Sequence, residues 1–171
     1  MLVKSGSYIS GVRYICKRNS SYGGKLEVSL LYKKEIMGSS PLIVRSLIND
    51  MMNCIRNWNS LSDDDEYEFR LVLNELICNG VFHGNKGCSN KKVKVRIEEV
   101  DSVTLDIWVK DEGGGFDYNK VFKNYYNRKP YFLLAESGRG LLLVKAMCNN
   151  IQFNNNGSLI RIRKSINKKI L

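Results

Sequence analysis

Between Pro41 and Val109 the apolar residues change their spacing, and that change restricts the fold more than any other feature of the sequence. Val44, Leu47, Ile48, Met51, Ile55 and Trp58 recur at steps of three and four, which lays them along one stripe of an α-helix. Leu73, Leu76 and Ile77 continue that spacing in a second segment. Val93, Val95 and Ile97 then alternate with Lys92, Lys94 and Arg96, and Val103, Leu105, Ile107 and Val109 alternate with Thr104, Asp106 and Trp108. Period two marks a strand with one buried face. The short turn at Asp101-Ser102 makes the two runs an antiparallel hairpin.

Local signals set the ends of these elements. Ser40 offers an N-cap, and Pro41 takes the first helical position, where its missing N–H costs nothing. Ser62 with Asp65 three residues on resembles a capping box, and Asp63, Asp64 and Glu66 suit the positive end of a helix dipole. That acidic run therefore reads as a helix start and not as a metal site. The second helix is expected to run to about His83 and stop at Gly84, which sets Glu75, Asn79 and His83 at i, i+4 steps on one face.

Leu26, Val28, Leu30 and Tyr32 predict a strand over residues 25–32, blurred by Leu31, and residues 141–148 read as a helix. Residues 151–153 and 159–163 read as a hairpin turned at Asn156-Gly157. The segment 113–138 carries Tyr118, Tyr125, Tyr126 and Tyr131 without a clean period. It is too long for a plain connector, and such segments are functional lids or disordered loops. Residues 1–24 give only a weak strand hint at Val12, Tyr14 and Cys16. The resulting order is strand, helix, helix, strand, strand, lid, helix, strand, strand. It predicts an α+β two-layer sandwich, a mostly antiparallel mixed sheet covered on one face by about three helices.

A chain of 171 residues with 43% apolar content fits one domain. Its longest apolar runs, such as Leu141 to Val144, fall far short of the roughly 18 residues needed to cross a bilayer, so no membrane contact is expected. The first seventeen residues mix Lys4, Ser5, Gly6, Ser7, Gly11 and Arg13 among apolar ones and lack the core of a secretion signal, so a cytoplasmic location is expected. Cys16, Cys54, Cys78, Cys88 and Cys148 form no Cys-x-x-Cys pair and read as reduced structural thiols.

Lys and Arg number 27 against 17 Asp and Glu, and residues 121–171 hold ten of the former and one of the latter. Such a surface suits nucleic acid, an acidic protein, a polyphosphate, or solvent alone. No zinc-finger spacing, basic heptad or RNP-like motif accompanies it, so no direct nucleic-acid contact is expected.

Three polar segments break these patterns: Glu75-Leu-Ile-Cys-Asn79-Gly-Val-Phe-His83-Gly84, Asp111-Glu-Gly113-Gly-Gly115, and Ser137-Gly138-Arg139-Gly140-Leu141. In this order, and on a helix, a strand end and a loop before a helix, they resemble the nucleotide site of the GHKL ATPases. More closely, residues 26–164 resemble the anti-sigma-factor serine kinases that control stress and sporulation transcription. The resemblance implies a Bergerat-type ATP-binding domain over residues 25–171, with residues 1–24 as an extension of unknown role.

It also implies ATP and Mg²⁺ as cofactors, with Asn79 as metal ligand and Glu75 as general base or orienter. Asp111 would read adenine. Gly113 and Gly115 would let the ring approach the backbone, and Gly138, Arg139, Gly140 and Leu141 would open a helix toward the phosphates. Arg139 either adds a charge there or faces solvent. Ser158 stands where relatives carry a threonine that touches the adenine pocket, and Gly114 replaces a frequent proline. His83, the only histidine, sits inside the helix motif and reads as a satisfied histidine near a helix end. The implied function is to sequester a sigma factor and phosphorylate an anti-anti-sigma (STAS-type) protein on serine, as a homodimer. The alternative is a catalytically silent, nucleotide-gated binding module of the same fold.

Overall fold

A computed structural model describes residues 29–118 and 139–166. The expectations for residues 1–28, for most of the lid and for Gly138 lie outside these. Strand β1 (Ser29–Met37) leads into α1 (Pro41–Trp58) and α2 (Asp63–Cys78), which continues as a π-helical turn (Asn79–Gly84). Strands β2 (Lys92–Asp101) and β3 (Thr104–Asp111) follow, then helix α3 (Arg139–Met147) and strands β4 (Asn150–Phe153) and β5 (Leu159–Ser165).

The five strands lie in the order β1-β2-β3-β5-β4, and all four pairings are antiparallel. Among the described strands the sheet is therefore wholly antiparallel, where the sequence predicts a mostly antiparallel mixed sheet. β4 runs in the same sense as β3, but the β4–β5 hairpin puts β5 between them, so these two do not pair.

Because side chains alternate across a strand, the pairing register sorts residues into rows. Tyr32, Ile97, Ile107, Ile162 and Ile151 form one row beneath the helices. Leu47, Met51 and Ile55 of α1, Phe69, Leu73, Leu76 and Ile77 of α2 and Val144 of α3 join them in one core. Two layers result, with the helices on one face only.

The opposite face is polar. Its central row is Lys33, Arg96, Trp108, Arg161 and Gln152, with the Arg161 guanidinium 4.5 Å from the Trp108 ring centroid. One row away, Asp106 is fully buried although it points away from the helices. Arg163 holds it at 2.8 and 2.9 Å and Arg161 at 2.5 Å. Burial alone would raise this carboxyl, but the hydrogen bonds from Arg163 and Arg161 keep it below the ordinary aspartate value.

Strand β1 runs further than its hydrophobic pattern predicts, to Met37, while the expected start at residues 25–28 lies outside the described residues. The pairing shifts between Leu30, opposite Glu98, and Tyr32, opposite Ile97, so Leu31 is a bulge. Both Leu31 and Tyr32 are buried, which is why the alternation breaks there. Beyond the bulge the alternation resumes in the other phase, with Ile36 buried and Lys34 bound to Asp50 of α1 at 2.6 Å.

The two helix starts differ. Ser62 and Asp65 form the expected reciprocal box, with Asp65 N–H donating to Ser62 Oγ and Ser62 N–H donating to the Asp65 carboxylate. Ser40 occupies the N-cap position of α1 but makes no side-chain cap. Its carbonyl instead takes the Ile43 and Val44 N–H groups at 3.0 and 3.2 Å.

Buried Lys164 of β5 fixes the far end of α3, donating to Glu68 of α2 at 2.5 Å and to the Met147 carbonyl at 2.9 Å. A cation on the last carbonyls of a helix satisfies groups that have no partner inside it. One side chain thus registers α3 against α2 and the sheet. Ser62→Ala removes the box that starts α2, and it is expected to lower stability by about 1 kcal/mol, read as a reduced urea midpoint with unchanged slope.

Candidate functional site

Helix α2 carries Glu75 and Asn79 one turn apart, and both are half-buried. Asn79 is the last residue with α-helical bonding, its N–H shared between the Glu75 and Leu76 carbonyls. From there the chain widens, and Asn85 N–H reaches the Gly80 carbonyl five residues back at 2.9 Å. The run is therefore not the uniform α-helix that the spacing predicts. His83, within the π-turn, is exposed, while Glu75 and Asn79 are half-buried.

The second glycine segment meets the helix at Glu75. A Cβ on Gly140 would overlap the Glu75 carboxylate, so only glycine lets the start of α3 lie against that side chain. Arg139 is exposed and Leu141 is buried in the core, which anchors the first turn of α3 in place. Gly138 falls outside the described residues.

Asp111 ends β3 on the helix-facing side, in the row Ile36, Val93, Asp111. Its carboxylate lies between two glycines. A Cβ on Gly84 would come within 2.5 Å of its Cγ, and a Cβ on Gly113 would overlap the Gly84 carbonyl. Gly113 N–H donates to Asp111 Oδ1 at 2.7 Å. Asp111 Oδ2 accepts no hydrogen bond from another described residue. Burial raises this carboxyl above the ordinary aspartate value, partly countered by the Gly113 hydrogen bond.

The first glycine segment continues against the β4–β5 turn. Gly115 and Gly157 both have φ of +76°, and a Cβ on either would strike the other strand's backbone, at Asn156 and at Phe116 respectively. Phe116 and Tyr118 then pack on Phe153 of β4, at ring centroid distances of 5.7 and 4.5 Å. Ser158 reaches the site through its backbone, since its carbonyl accepts the Asp111 N–H at 3.0 Å. Its hydroxyl is occupied within the turn, donating to Asn156 Oδ1 at 2.8 Å and accepting from Asn154 Nδ2 at 3.3 Å.

Segments up to 65 residues apart in sequence therefore converge. Glu75 meets Gly140, Gly84 meets Asp111 and Gly113, and Asn79 lies between them along the same helical run. Among the described residues no cluster of three or more His, Cys, Asp or Glu could hold a metal ion by itself. Cys54, Cys78, Cys88 and Cys148 are free thiols, and burial pushes Cys148 up to about 11, which makes it inert. No described helix is long and apolar enough to cross a membrane.

Sequence reasoning missed Asn85. This residue is buried at 2% exposure and its amide bonds Lys92 of β2 and Glu112, the residue after β3. The only signal was an Asn directly after the expected helix-stopping glycine, a pairing that reads as ordinary loop chemistry.

Residues 41–164 match the histidine kinase-like ATPase domain. The chain is also 23% identical over 145 residues to the serine-protein kinase RsbW of Oceanobacillus iheyensis, covering 82% of this chain and 86% of that protein. Strand β1 precedes the matched domain span yet pairs with β2 along its length.

The glycine contacts separate two adjacent positions. Gly113→Ala sets a methyl group into the Gly84 backbone, while Gly114→Ala meets nothing within 4 Å. The first is expected to cost about 2 kcal/mol or more in urea unfolding, and the second less than about 0.5 kcal/mol. Equal costs would contradict the close approach of Gly84 and Gly113.

Proposed function

The chain belongs to the histidine kinase-like ATPase domain family, and from that premise we propose that it is a Mg-ATP-dependent serine protein kinase and anti-sigma factor. It phosphorylates an anti-anti-sigma protein of STAS type and sequesters a sigma factor, acting in the cytoplasm as a homodimer. Its likeness to a serine-protein kinase over most of both chains supports this reading. The observation that carries it is the contact of Glu75 with Gly140 on a helical run that carries Asn79 one turn on and closes on Asp111 at Gly84.

The donor set fits a magnesium nucleotide. Mg²⁺ on a triphosphate keeps most of its waters and needs few protein ligands, so the Asn79 amide oxygen suffices, and the ion neutralises charge on the phosphates. The N–H groups of Arg139, Gly140 and Leu141 in the first turn of α3 have no partner inside the helix and suit phosphate oxygens, Gly138 before them is proposed to join them, and Arg139 adds a charge there. Asp111 Oδ2, which takes no hydrogen bond from another described residue, accepts one from an exocyclic amine, which adenine offers at that edge and guanine does not. Gly113 and Gly115 keep the backbone bare beside the ring, and Ser158 steadies Asp111 through its carbonyl.

Glu75 supplies the base. As the substrate serine oxygen bonds to the γ-phosphorus, the Glu75 carboxylate takes the hydroxyl proton, and the bridging oxygen leaves with ADP.

Glu75→Ala is expected to slow transfer by about 10²–10⁴-fold while ATP affinity stays within about twofold. Asn79→Ala should weaken Mg-ATP binding by about 10–100-fold. The assay mixes the protein with Mg-ATP and candidate partners encoded near it in the genome, and it reads phosphoserine on one partner and a stable complex with another. Transfer by Glu75→Ala at the parent rate would remove the base. Unchanged Mg-ATP affinity in Asn79→Ala would remove the ligand.

Gly140→Ala tests the same contact from its other side. Its added methyl meets the far end of a flexible side chain, so stability should change by less than about 0.5 kcal/mol. Transfer should nevertheless fall at least about tenfold, because Glu75 must move away. A variant with full transfer would separate Gly140 from the chemistry.

A further inference from the structure

The geometry points to Asn85 as a positioning residue that sets base selectivity through Asp111, an inference that rests on the nucleotide reading above. Asn85 follows Gly84, the residue against which the Asp111 carboxylate lies. Its Nδ2 donates to the Lys92 carbonyl at 3.0 Å, and its Oδ1 accepts the Glu112 N–H at 2.9 Å. The Glu112 carboxylate closes the triangle by accepting the Lys92 N–H at 3.0 Å. Lys92 precedes Val93, the register partner of Asp111, and Glu112 follows Asp111 directly. The clamp therefore grips Asp111 from both sides and ties it to the π-turn.

The amide meets both demands here, because it places a donor and an acceptor on separate atoms of one terminal group. A carboxylate keeps the acceptor but sets negative charge against the Lys92 carbonyl. An apolar group leaves the part-buried Glu112 N–H and Lys92 C=O without this partner. Either change frees the end of β3 to move away from Gly84. The Asp111 carboxylate needs a donor within about 3.2 Å to read it, so a shift of about 1 Å removes the reading. The phosphate end of the site, built by α2 and α3, makes no use of this clamp.

The probes are ATP, purine riboside 5′-triphosphate, which lacks the exocyclic amine, and inorganic tripolyphosphate, each with Mg²⁺. The unaltered protein should bind ATP about tenfold more tightly than the purine analogue, the worth of one hydrogen bond to a charged acceptor. In Asn85→Asp that ratio should fall to about twofold or less, with tripolyphosphate affinity held within about twofold.

Glu112→Ala, at an exposed position that folding tolerates, opens the third side of the triangle and should lower the ratio by about two- to threefold. It carries the test if Asn85→Asp does not fold. A full tenfold ratio in the folded variants would overturn the inference, and so would loss of tripolyphosphate affinity in step with the ratio. An unaltered protein that ignores the amine, or binds neither nucleotide, would instead remove the nucleotide reading, and this inference with it.

Discussion

The site depends on how closely the helical run through α2 approaches the end of β3. Helices and sheets ordinarily stand about 10 Å apart, with side chains filling the space between. Here two glycines on the run shorten that gap. Gly80 sits directly on Val93 and Val109, and Gly84 leaves just enough room for the Asp111 carboxylate. The π-turn between Asn79 and Gly84 carries the backbone from the first of these contacts to the second. Widened turns of this kind are uncommon and cluster at functional sites. The core then needs no special packing at the site, because the sheet rows beneath are ordinary branched apolar residues.

A second constraint holds the opposite end. Lys164 ties the end of α3 to α2 and β5, and the start of α3 rests on Glu75 through Gly140. Glu75 and Asn79 thus lie on a helix whose neighbours are fixed at both ends, by hydrogen bonds at one and by steric contact at the other. Side chains held this way lose little conformational freedom on meeting a ligand, which favours tight and oriented binding.

Much of this was legible in the sequence, since long periodic segments overrule weak local signals. The α1 and α2 stripes, the β2–β3 alternation and the Ser62-Asp65 box all appear in the structure as the residues suggest. What escaped shares one cause: each feature depends on a partner distant in sequence. The bulge at Leu31 is set by pairing with β2, and the π-turn by packing of Gly80 on the sheet. The Ser158 hydroxyl is claimed by Asn154 and Asn156, and Asn85 by Lys92 and Glu112. Asp106 read as an ordinary solvent-facing residue, because its burial comes from two arginines 55 and 57 residues away.

The most direct test is a crystal structure with Mg²⁺ and a non-hydrolysable ATP analogue. The account predicts the metal within about 2.1 Å of Asn79 Oδ1 and the adenine amine within about 3.2 Å of Asp111 Oδ2. Glu75 should stand beside the γ-phosphate. A nucleotide bound elsewhere, or a metal held without Asn79, would contradict it.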